Sequence, residues 1–224
     1  MKQDKQRPPI GGVLFDMDGT LVDAFGPIIY ALNRTLASFG KPEMDDTAVR
    51  RHTGRGESSI TTLFGDDRQE AIRRYLEFHD ERLFDLAPMP GAEALLGRLK
   101  SLALPVAVVT SKSQSRAELQ LAHLGWQHYF GTIIGMQDGR RQKPDPHTLE
   151  MACTELGIVP AEALMIGDGT ADMQAARNAG MRAVGLTGHF TAEELQAAGA
   201  EHCFSNLGEI DAWLSATWLN EPTH

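Results

Sequence analysis

The stretch Phe15-Asp16-Met17-Asp18-Gly19-Thr20-Leu21-Val22 decides how the rest of this sequence is interpreted, and it directly follows the apolar run Val13-Leu14-Phe15. The run predicts a buried strand over residues 11–16, and Gly19 predicts a tight turn after it. Two carboxylates this close repel each other when both are ionised, unless a divalent cation lies between them or one keeps a proton. Both arrangements suit phosphoryl transfer, so the stretch indicates an enzyme of that class.

The residues of this turn have distinct predicted roles. Asp16 is the predicted nucleophile, because a carboxylate is already ionised at neutral pH and attacks phosphorus without a base. Asp18 is the predicted general acid and base. Thr20 can donate a hydrogen bond to the phosphoryl oxygens or to the turn. The alternative is an ordinary Asp-Gly turn after a strand.

Composition limits the classes of partner. The chain has 224 residues, of which 42% are hydrophobic, and this is enough for one large core or a core with a small second unit. The formal net charge of -9 argues against nucleic acid, because phosphate backbones attract basic surfaces. An acidic protein also repels a phosphate substrate, so a bound cation and local Lys or Arg side chains are expected to hold it.

Cysteine content and the start of the chain indicate the compartment. Cys153 and Cys203 allow one disulfide, but two reduced thiols are the default. Residues 1–9 are polar, unlike a signal peptide, and no apolar run is long enough to cross a bilayer. We expect a soluble cytoplasmic protein, a monomer or homodimer, with no membrane or nucleic-acid partner.

Strand-like apolar runs alternate with amphipathic helical stretches over most of the chain. The later predicted strands are Leu104–Val109, Thr132–Ile134, Ala163–Ile166 and Ala183–Leu186, and the predicted helices cover 92–102, 114–124, 147–156, 171–179 and 191–199. This alternation predicts an α/β fold with a doubly wound parallel sheet. The ends of its strands lie at one edge, where such folds bind ligands.

One long segment interrupts the alternation. Apolar residues with helical spacing occur in two groups, Ile28, Leu32, Leu36 and Phe39, and then Ile72, Tyr75, Leu76 and Leu83. We expect a helical cap domain over residues 24–87, inserted into a core domain of residues 1–23 and 88–224. A cap at the strand ends can act as a lid that excludes water. The alternative is a surface elaboration.

Hydroxyl groups and a lysine follow two other predicted strands. Thr110 can donate a hydrogen bond to a phosphoryl oxygen, with help from backbone amides of the following loop and helix. The alternative is that Ser111 or Ser113 only caps the helix that starts near Gln114. Lys143 precedes Pro144, which keeps the lysine out of a helix, and it is expected to neutralise a phosphoryl group and hold Asp16 ionised.

The charged residues on either side of Lys143 are expected to have structural roles or to be solvated. Asp145 is expected at the N-cap of the next helix with Pro146 at its first position, and Arg140 and Arg141 are expected to be solvated.

A second acidic pair follows the strand that ends at Gly167. Asp168 is expected to bind a cation, and Asp172, one helical turn later, to hold a metal-bound water or Lys143. Oxygen ligands together with phosphate indicate Mg²⁺. The alternative is two exposed acids near a helix N-terminus.

These motifs together resemble the haloacid dehalogenase-like (HAD) hydrolase superfamily, in the phosphatase branch with a helical cap and a Rossmann-like core. Asp16 and Asp18 match its DxDGT motif, Thr110 its hydroxyl motif, Lys143 its basic motif, and Asp168 and Asp172 its GDxxxD motif. The resemblance implies that Asp16 is the nucleophile, Asp18 is the acid and base, and Mg²⁺ is held by Asp16, the Asp18 backbone carbonyl and Asp168. It also implies that Gly19, Thr110, Ser111 and Lys143 bind phosphate.

The overall pattern is similar to phosphoglycolate phosphatases and β-phosphoglucomutase-like proteins. We expect a Mg²⁺-dependent phosphatase that hydrolyses a small phosphorylated metabolite, a phosphoglycolate-like phosphomonoester, through a phospho-aspartate. A sugar phosphomutase would use the same core. A receiver-like signalling module also combines acids, a hydroxyl and a lysine, but Asp18 and the helical insert are evidence against it.

Substrate specificity is expected in the cap. Residues 50–58 contain Arg55 between glycines, which suggests a loop that can present the guanidinium to a substrate carboxylate. The alternative is a solvated charged loop. His189 is a further residue that can reach the mouth of the site, and a histidine without a functional role is the alternative.

Overall fold

A six-stranded parallel sheet forms the centre of the protein in the computed structural model, which describes residues 9–53 and 62–217. The strands in chain order are β1 (Gly12–Phe15), β2 (Val22–Asp23), β3 (Ala87–Pro88), β4 (Val106–Ser113), β5 (Thr132–Met136), β6 (Ala163–Gly167), β7 (Arg182–Leu186) and β8 (His202–Phe204). The order across the sheet is β5-β4-β1-β6-β7-β8. The order reverses at β1, which places the carboxyl end of β1 at the topological switch point, where open α/β sheets bind ligands.

Helices connect the strands and cover both faces of the sheet. In chain order they are α1 (Phe25–Ser38), α2 (Asp46–Thr53), α3 (Arg68–Asp80), α4 (Ala92–Ser101), α5 (Gln114–His123), α6 (His147–Leu156), α7 (Thr170–Asn178), α8 (Ala192–Ala198) and α9 (Leu207–Thr217). Single 3₁₀ turns occur at Gly65–Asp67, Gln127–Tyr129 and Pro160–Glu162.

The two faces of β1 belong to two different hydrophobic cores. Val13 and Phe15 pack in a cluster that includes Leu95 of α4 and Ile210 of α9. Leu14 points to the opposite face and packs in a cluster with Leu149 of α6 and Met173 of α7. Because successive side chains of a strand alternate between faces, a strand buried on both sides must be apolar throughout. The prediction of a doubly wound parallel sheet is confirmed.

The insert is helical in the part that the structure describes. The chain leaves and re-enters the core through a two-stranded antiparallel ribbon in which Val22 of β2 pairs with Pro88 of β3. Helices α1, α2 and α3 bury a separate apolar cluster of Phe25, Ile28, Leu32, Leu36, Val49, Phe64 and Ala71. The division into a core and a cap domain of residues 24–87 stays a prediction.

Several sequence-based boundaries differ from the structure. Strand β4 continues to Ser113, and helix α6 has Pro146 rather than Asp145 at its N-cap, although Oδ1 of Asp145 accepts a 2.9 Å hydrogen bond from the His147 amide. The edge strand β8 was not predicted, because three residues are too short a pattern to recognise without the neighbouring strand β7.

Two other expectations concern the cysteines and the membrane. Cys153 and Cys203 are both free thiols. None of the helices within residues 9–53 and 62–217 combines the length and the apolar composition needed to cross a bilayer.

Candidate active site

Asp16 stands at the carboxyl end of β1, at the centre of the sheet. Its backbone amide donates a 2.9 Å hydrogen bond to the carbonyl of Ile166 in β6, which holds the residue at the switch point. The side chain is buried, and Oδ1 accepts a 2.6 Å hydrogen bond from Nζ of Lys143. Burial raises the pKa of Asp16, the Lys143 ammonium opposes this shift, and the Asp18 carboxylate adds to it.

Lys143 directs all three of its donors inward. Besides Asp16, its ammonium donates to Oδ1 of Asp172 at 2.5 Å and to the backbone carbonyl of Val109 at 2.9 Å. The side chain is only 4% exposed. Burial by itself would lower the pKa of Lys143, but the carboxylates of Asp16 and Asp172 outweigh it and raise the pKa. Lys143 is therefore a fixed positive charge between two acids from different elements.

Asp172 occupies the first turn of α7 and faces back toward β6. Its Oδ2 accepts a 3.0 Å hydrogen bond from the Gly169 amide at the helix N-cap, while Oδ1 pairs with Lys143. Burial raises the pKa of Asp172 to about 6, with Lys143 opposing the shift and Asp16 adding to it. The carboxylate fits the predicted role of holding Lys143, and that role remains a prediction.

Asp168 follows β6 directly and completes an acidic cluster. One carboxyl oxygen from each of Asp16, Asp168 and Asp172 lies within 4.8 Å of the others. Burial raises the pKa of Asp168 well above its usual value, and the two neighbouring carboxylates add to the shift. Its Oδ1 accepts a 3.2 Å hydrogen bond from the Thr20 hydroxyl. Such a cluster is unfavourable alone and becomes favourable around a cation.

Gly19 brings the first turn against this cluster. Its φ of +90° lies in the region that favours glycine, and a Cβ atom there would overlap Oδ2 of Asp168. The glycine therefore has two independent reasons to be present, a backbone conformation and a close approach.

The hydroxyls of β4 lie at the same edge of the sheet. Thr110 is buried, and its Oγ1 accepts a 3.2 Å hydrogen bond from the Lys112 amide. Ser111 is exposed and lines the same cavity as Thr110, Asp16 and Asp18. The structure thus brings the predicted residues of β1, β4, the Lys143 loop and β6 together, while their individual roles stay predictions.

Sequence reasoning missed Lys112. Its side chain is 5% exposed, and its Nζ lies 2.9 Å from Oδ1 of Asp18, close enough for an ion pair although the angle is poor for a hydrogen bond. The same ammonium donates a 2.6 Å hydrogen bond to Oε1 of Gln120. The available signal was the alternation of a strand, which places Lys112 on the same side of β4 as Thr110.

A cavity of about 780 Å³ lies between the strand ends and the helical insert. Asp16, Asp18, Lys112 and Lys143 line it from the sheet, and Ile72, Tyr75, Leu76 and His79 line it from α3. Burial, with a smaller contribution from the Asp18 carboxylate, raises the pKa of Tyr75. Burial also lowers the pKa of His79 to about 4, and the cations Lys112 and Arg116 add to this shift. The insert therefore contributes mainly apolar and neutral polar groups to the cavity, together with the cation Arg68 at the start of α3.

Ion pairs connect the insert to the core on two sides of this cavity. Arg51 of α2 lies 2.5 Å from Oε1 of Glu194 and donates a 2.6 Å hydrogen bond to the carbonyl of His189. On the other side, Arg116 of α5 pairs with Asp80 of α3 at 2.6 Å. These contacts hold the insert against the strand ends.

Two residues, Arg55 and His189, were predicted to contact the substrate at the mouth of the site. Arg55 lies outside the described residues. His189 has structural contacts, because its ring packs edge-on against Phe25 at 5.2 Å and its Nε2 lies 3.3 Å from a guanidinium nitrogen of Arg50.

The prediction that Arg140 is solvated was wrong. Arg140 is partly buried and donates hydrogen bonds to Gln114 and to the Gly135 carbonyl.

The sequence model of the haloacid dehalogenase-like hydrolase family matches residues 13–186. The chain belongs to this family. Among its relatives, a phosphoglycolate phosphatase of Rhodospirillum rubrum is 31% identical over 216 residues, with 90% of each chain covered. A provisionally named pyrophosphatase, PpaX of Clostridium perfringens, is 33% identical over 195 residues, with 85% of this chain and 89% of that protein covered.

Solved structures agree with these matches. The haloacid dehalogenase-like hydrolase SP0104 of Streptococcus pneumoniae has a TM-score of 0.82 and 28% identity, with 92% of this chain and 98% of that chain covered. The expectation of an enzyme among the phosphatases of the haloacid dehalogenase-like family is confirmed by these relatives. The receiver-like alternative is thereby excluded.

Proposed function

We propose that this haloacid dehalogenase-like phosphatase is Mg²⁺-dependent and hydrolyses a small phosphomonoester through a phosphorylated Asp16. The observation that carries the proposal is the arrangement of Asp16, Asp168 and Asp172, whose carboxyl oxygens lie within 4.8 Å of one another beside the ammonium of Lys143. A nucleophile, a cation site and a fixed positive charge thus share one pocket.

The donor set fits a hard divalent cation. All three side chains offer carboxylate oxygens within 4.8 Å of one another, and burial raises the pKa of Asp16 and Asp168, so their ionised forms favour a further positive charge beside Lys143. Asp16 and Asp168 would hold Mg²⁺ together with the backbone carbonyl of Asp18, and Asp172 would support Lys143. When bound, the ion supplies positive charge that offsets the repulsion between Asp16 and the phosphoryl oxygens.

The proposed reaction has two steps, formation of phospho-Asp16 and its hydrolysis. A carboxylate oxygen of Asp16 forms the bond to phosphorus while the bond from phosphorus to the leaving oxygen breaks, and Asp18 gives its proton to that oxygen. In the second step Asp18 takes a proton from water, and the water oxygen displaces the Asp16 carboxylate from phosphorus. Lys143, Thr110 and the amides after β4 stabilise the phosphoryl oxygens in both steps.

Short phosphate compounds with a second negative group are the substrates that the names of the relatives suggest. The Rhodospirillum rubrum relative is named for phosphoglycolate and the Clostridium perfringens relative for pyrophosphate. In pyrophosphate the second anionic group is attached to the leaving oxygen itself, and in phosphoglycolate one carbon atom lies between them. We propose a substrate of this class, with 2-phosphoglycolate as its first representative, in a cytoplasmic setting.

The test is a phosphate-release assay with 2-phosphoglycolate, hexose phosphates, nucleotides and pyrophosphate, run with Mg²⁺ and with a chelator. Asp16→Asn should abolish turnover and the mass increase of a trapped phosphoenzyme while the protein stays folded. Asp66→Asn, the same change at an exposed site, is the matched control and should retain activity. Turnover by Asp16→Asn, or undiminished turnover in chelator, would contradict the proposal.

A further inference from the structure

Lys112 is a buried cation that takes no part in the two proposed reaction steps. It lies on β4 in the wall of the cavity, and its ammonium contacts Asp18 at 2.9 Å and Gln120 at 2.6 Å. A lysine has three N–H donors. Within the part of the chain that the structure describes, Gln120 accepts a hydrogen bond from the ammonium and Asp18 is its ion-pair partner, so at least one donor has no protein acceptor. Burying a charge is costly unless it is paired and hydrogen-bonded, so an incompletely satisfied ammonium facing a cavity points to a ligand.

The position of Lys112 relates it to the leaving group rather than to the phosphoryl group. Lys143 serves the phosphoryl side, since it contacts Asp16 and Asp172. Lys112 instead contacts Asp18, which in the proposed reaction touches the leaving oxygen. With a hydrogen bond of about 2.7 Å between Asp18 and that oxygen, the ammonium lies on the order of 6 Å from it. An anionic group one or two bonds beyond the leaving oxygen can therefore reach Lys112.

His79 supplies a second unsatisfied polar group, from the α3 side of the same cavity. The residue is 2% exposed and lines the cavity, and its Nδ1 has no hydrogen-bond partner among residues 9–53 and 62–217. Burial and the neighbouring cations Lys112 and Arg116 lower its pKa, so the ring is neutral at pH 7 and keeps one N–H donor. A neutral donor beside a cation is suited to an anionic oxygen group.

Arg116 is a less suitable ligand for the same group. Its guanidinium donates two hydrogen bonds to the carboxylate of Asp80, at 2.7 and 2.6 Å, and a third to the Ser113 hydroxyl at 3.2 Å. Arg116 therefore connects α5 to the insert, whereas Lys112 keeps a donor for a molecule in the cavity.

We propose that Lys112 is a specificity-determining residue that binds a second anionic group of the substrate, attached within two bonds of the leaving oxygen, with His79 as a neutral donor beside it. This inference rests on the proposed function. A carboxylate, as in 2-phosphoglycolate, and a phosphate, as in pyrophosphate, present the same chemistry to an ammonium. The competing explanation is that Lys112 only orients Asp18.

The experiment compares substrates that differ only in the second anionic group. Steady-state kcat and KM are measured with 2-phosphoglycolate and with ethyl phosphate, which has the same length without the carboxylate, and pyrophosphate forms a third arm. The variants are wild type, Lys112→Met and Lys41→Met, the last being the same change at an exposed site. Lys112→Gln provides a second neutral variant, and thermal melting checks that each protein is folded.

The expected result is a loss of preference and not merely a loss of rate. In Lys112→Met the ratio of kcat/KM for 2-phosphoglycolate to that for ethyl phosphate should fall at least tenfold, mainly through a higher KM for 2-phosphoglycolate. Lys41→Met should keep the wild-type ratio. A fall with pyrophosphate instead of 2-phosphoglycolate would support the anion site and assign it to phosphate.

Two results would overturn the inference while leaving the proposed function intact. Equal losses on all three substrates would mean that Lys112 acts only through Asp18, and a wild-type enzyme without preference for the charged esters would mean that no anion site exists. A wild-type protein that hydrolyses none of the three would contradict the proposed function itself, and this inference with it.

Discussion

Replacing Lys143 by methionine removes the one positive charge between two buried carboxylates. The ammonium is 4% exposed and contacts Asp16 at 2.6 Å and Asp172 at 2.5 Å, so both acids lose their partner together. Removing one partner of a buried ion pair costs about 3–5 kcal/mol of folding stability. In a chain of this size each kcal/mol lowers the melting temperature by about 2–4 °C, so Lys143→Met is expected to melt about 6–20 °C below wild type.

The assay is thermal or urea unfolding in the presence of a chelator, so that no divalent ion can take the place of the ammonium. Lys41→Met, at an exposed position, is the control and should unfold like wild type. Adding Asp172→Asn to Lys143→Met should restore part of the loss, because it removes one of the carboxylates left without a counter-charge. A shift below about 2 °C for Lys143→Met, or no recovery in the double variant, would refute the reasoning. With Mg²⁺ present, turnover should fall on the order of 10²-fold or more, as for other preorganised charges at a reacting centre.

Three further predictions test other parts of the site. Mg²⁺ at 100 times its dissociation constant should stabilise wild type by about 2.7 kcal/mol in a melting experiment, and Asp168→Asn should lose most of that shift because it removes a charged oxygen ligand. Gly19→Ala should lower turnover at least hundredfold, since its Cβ would displace Asp168, whereas Gly139→Ala, with a similar φ of +83° but open surroundings, should keep it. The pKa of His79 is lowered to about 4 from 6.5, so the unfolded chain binds the proton first as the pH falls. Stability should therefore decline on acidification from pH 6.5 to 4, and His79→Phe should show a smaller decline in urea unfolding at each pH; identical slopes would contradict the assignment.

The strands and their arrangement in a parallel sheet were predictable because their signals are local. Val13, Leu14 and Phe15 form a continuous apolar run, which indicates a strand buried on both faces, and the alternation with amphipathic helices indicates parallel connections. Because parallel strands end at one edge of the sheet, the sequence alone predicts that Asp16, Thr110 and Asp168 lie near one another. Edge strand β8 could not be predicted, because three residues are too few for a recognisable pattern and the strand is defined by its pairing with β7.

The partners of the charged side chains depended on tertiary structure. Lys143 and Asp16 are separated by 127 residues, and only strand register and loop geometry bring Nζ within hydrogen-bonding distance of Oδ1. Strand alternation places Lys112 on the side of Thr110 but does not predict that it is buried. Its burial depends on the insert, where the carbonyl of Leu83 accepts a 2.6 Å hydrogen bond from Gln120, the residue that in turn binds the Lys112 ammonium. Hydrophobic periodicity and motif order thus determined the fold class and the group of acids at its edge, since both are read along the chain. Which carboxylate each of the two lysines contacts was decided only in three dimensions, because strand register and loop geometry set the distances between them.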